Sequence, residues 1–353
     1  MKILFIVNGL SSGGSERVLS TLVNQLVTHS YYNVYVVCVN GKESFYPIDN
    51  RVNLVFLDKE TRTHHLFGKM IWIRSFAQKM GIDIVISFIV RVYGFTIFSL
   101  LGCGIPIITS ERNDPRSFDC LSRWIMRIFL PFSNHHVVQT EEIKAYYPHF
   151  IQKKTTVIAN PVNPAFLSPP SVEKKDIIIS VGRLVPQKNH HMMIESFAAI
   201  ANKHPSYKLV IYGEGPLRDS LLQQVHRLRM DDRIILPGRT NKIIKHMNEA
   251  RIFCMSSTHE GMSNALIEAI CLGLPIITTN VSGVNELIND EVNGLVVNVN
   301  DVASYTKALD RLINEERLQR RFSVNNMKKR SLFDLSTITK LWETIIQKNV
   351  KKD

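Results

Sequence analysis

"STHEGMSNALIEAICLGLPIITT" (Ser257–Thr279) holds two glutamates, Glu260 and Glu268, with seven residues between them in a mostly apolar segment. Three readings compete: an acid/base pair, a solvated helix face, or a ligand site in which each acid has its own task. Local signals order the stretch. A strand ends near Met255, and Ser263 suits the N-cap of a helix over Asn264–Leu272. Pro275–Thr278 reads as the next strand. Glu260 then falls in the loop before the helix and Glu268 about one turn inside it, so the two do not share a helix face. Gly261, Met262 and Ser263 bring backbone N–H groups to the same point, where the helix dipole favours an anion. Phosphates would meet those N–H groups, and carboxylates would hold hydroxyls. Each hydrogen bond to a charged acid is worth roughly 1.5–3 kcal/mol. The combination suits a sugar phosphate or a nucleotide sugar. The apolar neighbours Leu266, Ile267, Ala269 and Ile270 weaken the solvated-face alternative.

The same strand–loop–helix order repeats along the chain. Ile3–Val7, Val34–Val39, Val52–Leu57, Ile84–Phe88, Pro106–Thr109 and His136–Gln139 read as strands, with helical stretches at Ser15–Thr28, Leu66–Met80 and Leu121–Phe129. A second series follows: strands at Asp176–Val181, Lys208–Tyr212, Arg233–Leu236 and Ile252–Met255, with helices at His190–Lys203 and Pro216–Arg229. Strands apolar throughout and separated by helices imply α/β architecture, with parallel sheets covered on both faces. "NPVNPAFLSPPSVEKKD" (Asn160–Asp176) carries four prolines and then charges, and reads as a linker or hinge. The expectation is two doubly wound, Rossmann-like domains, 1–165 and 166–334, their strand ends facing a central cleft. Residues 335–353, helical over Leu335–Lys348, are expected to return to the first domain.

The 353 residues are 45% hydrophobic and 21% charged, an ordinary globular balance long enough for two domains. The formal net charge of +12 suits an anionic partner: nucleic acid, an acidic membrane or phosphorylated small molecules. The five cysteines (Cys38, Cys103, Cys120, Cys254 and Cys271) are odd in number, lack C-x-x-C spacing and lie mostly in apolar runs. They are expected to be reduced and buried, as in a cytosolic protein. "MKILFIVNGLSSGGSE" does not read as a signal peptide. Val92–Ser110 is interrupted by "GCGIP" and reads as a buried helix followed by a strand, not as a membrane span.

Three further strand–turn–helix loops can approach a phosphate. "NGLSSGGSERVLSTLVNQL" (Asn8–Leu26) places Gly13 and Gly14 before a helix. Its spacing is not G-x-G-x-x-G, and no acid ends the second strand, which disfavours a nicotinamide or flavin dinucleotide. "SVGRLVPQKNH" (Ser180–His191) offers the planar fork of Arg183 and the point charge of Lys188, both suited to a diphosphate. "IYGEGPLRDSL" (Ile211–Leu221) offers Gly213 and Gly215, with Pro216 suited to the first helical position. Each taken alone is also compatible with a plain turn or a solvated loop.

Together these elements resemble the GT-B glycosyltransferases of family 4, the retaining, nucleotide-sugar-dependent group. The resemblance rests on "GGSERV", "VGRLVPQKNH", "IYGEGPLR", "EGMSNALIEAICLGLPII", "GVNELI" and "NGLVV", in order over nearly the whole chain. It implies that Arg183 and Lys188 neutralise the donor diphosphate, that Glu260 faces the donor sugar and that Glu268 holds the ribose hydroxyls. It also implies that the Gly13–Gly14 loop closes near donor and acceptor, and that the base is read by backbone around Gly238–Thr240, which includes Arg239. Gly213, Gly261, Met262, Ser263 and Asn264 complete the implied donor site, and Glu286 matches an acid in a nearby loop. The expected donor is a UDP-sugar, with a GDP-sugar as the other possibility, and no metal is expected because no D-x-D motif is present. "TSERNDP" (Thr109–Pro115) and "GGSER" are similar to members that extend lipid-linked oligosaccharides for capsule, O-antigen or N-glycan assembly. There Glu111 and Arg112 would stand near the acceptor or sugar. Arg112 takes the place of a frequent histidine, and can bind a phosphate or sugar hydroxyl but is a poor base. "NPVN" (Asn160–Asn163) replaces the usual N-G-V-D.

The implied acceptor is a polyprenyl-diphosphate-linked glycan. The basic amphipathic segment Arg116–Phe132, with Arg116, Arg123 and Arg127 beside Trp124, Ile125, Ile128 and Phe129, suits an anionic membrane surface. Lys69, Arg74 and Lys79 are expected to add charge to the same domain. The expected location is cytoplasmic, peripheral to the inner face of the cell membrane. A nucleotide-sugar epimerase of related fold is the rival enzyme. A non-catalytic basic protein that binds nucleotides or nucleic acid is the rival from another class, but no nucleic-acid motif is present.

Overall fold

The computed structural model describes residues 1–11, 13–60, 65–167 and 173–350. It divides into two compact units, one of Met1–Pro161 with Leu335–Asp353 and one of Val162–Asp334.

Unit 1 contains a sheet of seven strands: β1 (Lys2–Val7), β2 (Asn33–Cys38), β3 (Asn53–Phe56), β4 (Ile84–Phe88), β5 (Ile107–Ser110), β6 (His135–Val138) and β7 (Thr155–Val157). Their order is β3-β2-β1-β4-β5-β6-β7, and every pair is parallel. Unit 2 contains β8 (Lys175–Val181), β9 (Lys208–Tyr212), β10 (Ile234–Gly238), β11 (Ala250–Cys254), β12 (Ile276–Thr279) and β13 (Leu295–Val297). These are also all parallel, in the order β10-β9-β8-β11-β12-β13. Each sheet winds outward from its first strand and then returns to the other side of it. The order therefore reverses beside β1 and beside β8, where such sheets bind ligands at their carboxyl edge.

Burial explains why the strands read as unbroken apolar runs. β4 and β12 are buried at every position, because helices cover both faces. In unit 1, Ile3, Phe5, Leu22 and Phe88 form a core on one face, joined by Ile338, Trp342, Ile345 and Ile346 from the final helix, Leu335–Asn349. Leu4, Ile6, Ile73 and Tyr93 fill the opposite face. Unit 2 packs Ile178, Met193, Phe197, Ile211 and Phe322 into one cluster.

Several expectations need correction. β7 and β13 have three residues each, too short to show a period. The helix expected from Pro216 starts at Arg218, because Gly215 and Pro216 are still in the turn that leaves β9. The helix expected over Leu121–Phe129 is present at Cys120–Phe129, but the rest of the basic segment Arg116–Phe132 is not helical with it: short 3-10 turns stand at Pro115–Ser117 and Leu130–Phe132. Cys38, Cys254 and Cys271 are buried, but Cys103 is half-buried and Cys120 exposed; all five are free. Lys69 adds no surface charge. It is buried, and its ammonium donates to Asp58 Oδ1 at 2.7 Å and to the Val39 carbonyl at 2.6 Å. Of the expected linker, 168–172 lie outside the described residues. Asn160 is buried, and Pro164–Leu167 form a 3-10 turn. Val92–Ser110 is a helix from Val90 to Leu100 followed by β5, and among the described residues no helix is long and apolar enough to cross a membrane.

Candidate active site

Two loops of unit 2 meet at the carboxyl edge of β8 and β11. The first leaves β8 at Gly182 and ends in the 3-10 turn Pro186–Lys188, with Asn189 in a left-handed conformation before the helix His190–Ile200. The second runs from Ser256 to Ser263 and opens the helix Asn264–Cys271. Backbone and hydroxyl groups fasten them together. Thr258 N donates to the Gln187 carbonyl at 2.8 Å, and Gln187 Nε2 donates to the His259 carbonyl at 2.8 Å. Ser256 Oγ lies 2.9 Å from the carbonyls of Lys188 and Asn189. Ser256, Gln187 and Thr258 were not singled out in the sequence, where only the repeated Ser and Thr before Glu260 hint at such a clasp.

The clasp brings Lys188 to Glu260. The Lys188 ammonium donates to Glu260 Oε1, and the same oxygen accepts from Ser257 Oγ at 2.6 Å. Both side chains are largely buried, at 16% and 9% exposure. With both side chains largely withdrawn from water, each is the other's counter-ion. Ser263 caps the helix, its hydroxyl accepting from Leu266 N at 3.4 Å. Gly261 and Met262 are buried beside it, and Asn264 is half-buried. Glu268 is only 4% exposed, so the solvated-face reading of that acid fails.

The other candidates of unit 2 lie on the turns that follow β8, β9, β10 and β12. Arg183 is exposed. Its carbonyl bonds the ring of His190, whose imidazole burial holds down at about 4. Gly213 N donates to the Gly238 carbonyl at 3.0 Å, and Gly182 N to the Tyr212 carbonyl at 3.0 Å, so three strand ends share one turn-rich edge. Gly213 has φ +151, and a Cβ there would lie 1.8 Å from the Gly182 carbonyl oxygen. Arg239 is exposed beyond Gly238. Glu286 is exposed on a four-residue helix, Val284–Leu287, where a loop was expected.

Unit 1 holds the remaining candidates. Gly13 is the N-cap of the helix Gly14–Leu26, and Tyr46 OH donates to its carbonyl at 3.1 Å. Glu16, in the first turn, folds back over Gly13 and accepts from Ser15 Oγ at 2.7 Å. An acid of the chain itself thus sits at that helix start. With Asn8, Gly9, Phe88 and Ile89 it lines a shallow depression beside β1 and β4. Glu111 is buried, and its Oε1 accepts from the N–H of Arg112 at 2.9 Å and of Asn113 at 3.0 Å. Burial pushes its carboxyl up to about 7. Arg112 is buried beside Asn160, which its Nη1 reaches at 3.0 Å. Among the described residues no group of three or more His, Cys, Asp or Glu is placed to hold a metal ion.

Comparison with known proteins agrees with this architecture. Residues 12–166 match the family described as Glycosyltransferase Family 4, and residues 165–329 match Glycosyl transferases group 1. A Campylobacter jejuni enzyme named as a GalNAc-alpha-(1->4)-GalNAc-alpha-(1->3)-diNAcBac-PP-undecaprenol alpha-1,4-N-acetyl-D-galactosaminyltransferase is 30% identical, with 98% of each chain covered. The amylovoran biosynthesis glycosyltransferase AmsD of Erwinia amylovora is 24% identical over 98% of this chain and 99% of its own. Among solved structures, Anabaena HepE in complex with UDP superposes with a TM-score of 0.81 at 18% identity, covering 99% of this chain and 100% of its own. Sucrose-phosphate synthase from Thermosynechococcus elongatus gives 0.85 at 16% identity, covering 98% of each. The fold is GT-B, as the sequence implied, and the chain belongs to glycosyltransferase family 4. It is an enzyme that transfers glycosyl groups.

Proposed function

We propose that this enzyme transfers a hexose or N-acetylhexosamine, with retention, from a UDP-sugar to a lipid-linked oligosaccharide during cell-surface polysaccharide assembly. The observation that carries the reading is the clasped Lys188–Glu260 pair at the start of the helix Asn264–Cys271. A donor diphosphate placed there meets the Lys188 ammonium, the Arg183 fork and the backbone N–H groups at the helix start, Gly261–Asn264. Glu260 is released from Lys188 to accept a sugar hydroxyl, and Glu268 accepts from the ribose. As the anomeric C–O bond breaks, negative charge grows on the leaving diphosphate, where these fixed cations and dipoles stabilise it. The acceptor hydroxyl adds on the same face, and its proton passes to the leaving phosphate oxygen. The UDP complex of HepE and the diphosphate-linked glycan in the name of the Campylobacter relative support this choice of donor and acceptor.

Calorimetry with UDP and GDP tests the donor reading. UDP is expected to bind more tightly than GDP, and Glu268→Ala to weaken UDP binding by about tenfold or more, the equivalent of one charged hydrogen bond. Unchanged affinity in Glu268→Ala removes that acid from the ribose.

The acceptor side of the proposal rests on unit 1. The helix Cys120–Phe129 packs Ile125 and Phe129 towards Gly94 and leaves Leu121, Trp124 and Ile128 exposed. Phe98, Leu101 and Phe132 are exposed as well. Arg123 and Arg127 lie on the same helix, giving an apolar stripe with cations that suits an anionic lipid surface. The enzyme is expected to float with vesicles containing anionic lipid, and Trp124→Glu to stay in the soluble fraction. Equal flotation with neutral vesicles would count against a charge-assisted membrane site.

A further inference from the structure

Unit 1 buries a cation that the donor chemistry does not use. Arg112 is 7% exposed, and three groups fix its guanidinium. Nη1 donates to Asn160 Oδ1 at 3.0 Å, and that oxygen also accepts from Gln139 Nε2 at 2.8 Å. The guanidinium carbon lies 5.2 Å from the centre of the Phe88 ring and 5.6 Å from that of Trp342, two rings stacked within 14° of parallel. The other donors, Nε and Nη2, are closed off from solvent and have no hydrogen-bond partner among the described residues. These two lie along one edge of the guanidinium, the edge that binds a phosphate or carboxylate through two parallel bonds.

A structural role would place partners along that edge, since unmatched buried donors are destabilising. Glu111 does not supply one. Its Oε1 is engaged by the backbone N–H groups of Arg112 and Asn113, and no ion pair forms between the two side chains. Position agrees with a binding role. Phe88 ends β4, Gln139 follows β6 and Asn160 follows β7, so the guanidinium sits at the carboxyl edge of the sheet, where ligands of such folds bind.

We infer that Arg112 is a receptor for a substrate oxyanion, a phosphate or a sugar carboxylate, bound side-on through Nε and Nη2. Asn160 and Trp342 are its positioning residues. The loop that carries Arg112 has to yield for the anion to reach the fork. The inference rests on the glycosyl-transfer reading only for the source of the anion: the lipid diphosphate of an acceptor, or the carboxylate of an acidic sugar.

Trp342 supplies a local reporter. The chain has three tryptophans, so Trp72→Phe with Trp124→Phe leaves Trp342 as the single fluorophore. This protein is titrated with pyrophosphate, galacturonate and, as a neutral control, galactose. A saturable change is expected with one of the anions and none with galactose; a response to pyrophosphate identifies a diphosphate, and one to galacturonate a carboxylate. The response should persist in Lys188→Ala, which weakens the diphosphate site of unit 2, and vanish in Arg112→Met. Arg112→Lys should weaken it at least tenfold, because an ammonium cannot form the fork. Arg112→Met is expected to unfold no earlier than the parent, since an unmatched buried cation has been removed. Silence towards both anions, an equal response to galactose, or an undiminished response in Arg112→Met overturns the inference. So does an earlier unfolding of Arg112→Met without any anion response in the parent, which marks a structural arginine. Failure of UDP to bind by calorimetry would count against the donor reading and leave the Arg112 result standing.

Discussion

Lys188→Ala is expected to lower kcat about 10²–10³-fold, the usual cost of removing one preorganised group from a developing oxyanion. The mechanism predicts where the loss appears. Lys188 is held at the end of a 3-10 turn, clasped by Ser256 and by the Gln187 contacts, with its ammonium on Glu260. On the proposed reading it would meet the diphosphate without a search through rotamers. The alanine protein loses this cation and leaves Glu260 largely buried without its counter-ion, so some thermal stability should go as well. Lys188→Arg keeps the charge on a longer, planar head and should recover only part of the rate. Single-turnover kinetics with saturating donor separates chemistry from binding. A near-normal rate would take Lys188 out of the diphosphate site, whatever the variant's stability.

Gly213→Ala is expected to destabilise the protein by at least about 3 kcal/mol, which for a domain of this size lowers Tm by about 6–12 °C. The added Cβ would stand 1.8 Å from the Gly182 carbonyl oxygen and 2.8 Å from its carbon, both backbone atoms at the end of β8. A flexible side chain could turn aside, but here a strand end has to move. The residue's φ of +151 adds strain that only glycine avoids. Because Gly182 opens the loop to Lys188, UDP affinity should fall together with stability. Gly182→Ala is the matched control. Its Cβ would have Lys188 side-chain carbons as its nearest neighbours, at 3.5 Å, an ordinary contact, and it should cost about 1 kcal/mol or less. Scanning calorimetry of both variants checks this, and a Gly213→Ala protein as stable as the control would refute the close-approach argument.

The fold was largely legible because both sheets are parallel and covered. Their strands, such as Ile84–Phe88, are apolar without alternation, and the helices between them show their own period. The capped helix after Glu260 was legible too, since Ser263 and the apolar run Leu266–Ile270 mark it. Pairings were not legible. Lys188 and Glu260 belong to separate loops, and nothing in either loop names the other. The clamp on Arg112 draws Phe88 from β4 and Trp342 from the last helix, a contact set by topology alone. For Lys69 the sequence does carry a signal. This lysine shares a helix face with Ile73 and Ala77 at steps of four, and all three are buried. A lysine in register with a core stripe needs an internal partner, and Asp58 is that partner.

The final helix has a consequence for the order in which the molecule can be made. Ile338, Trp342, Ile345 and Ile346 belong to the core of unit 1, yet the whole of unit 2 precedes them in the chain. On a ribosome, unit 2 is fully synthesised before the segment that completes its elder neighbour. Until then the apolar seat of Trp342, beside Phe88, stays uncovered and open to mispairing. A premature stop after Asp334 would thus injure the first-made half of the protein and spare the second.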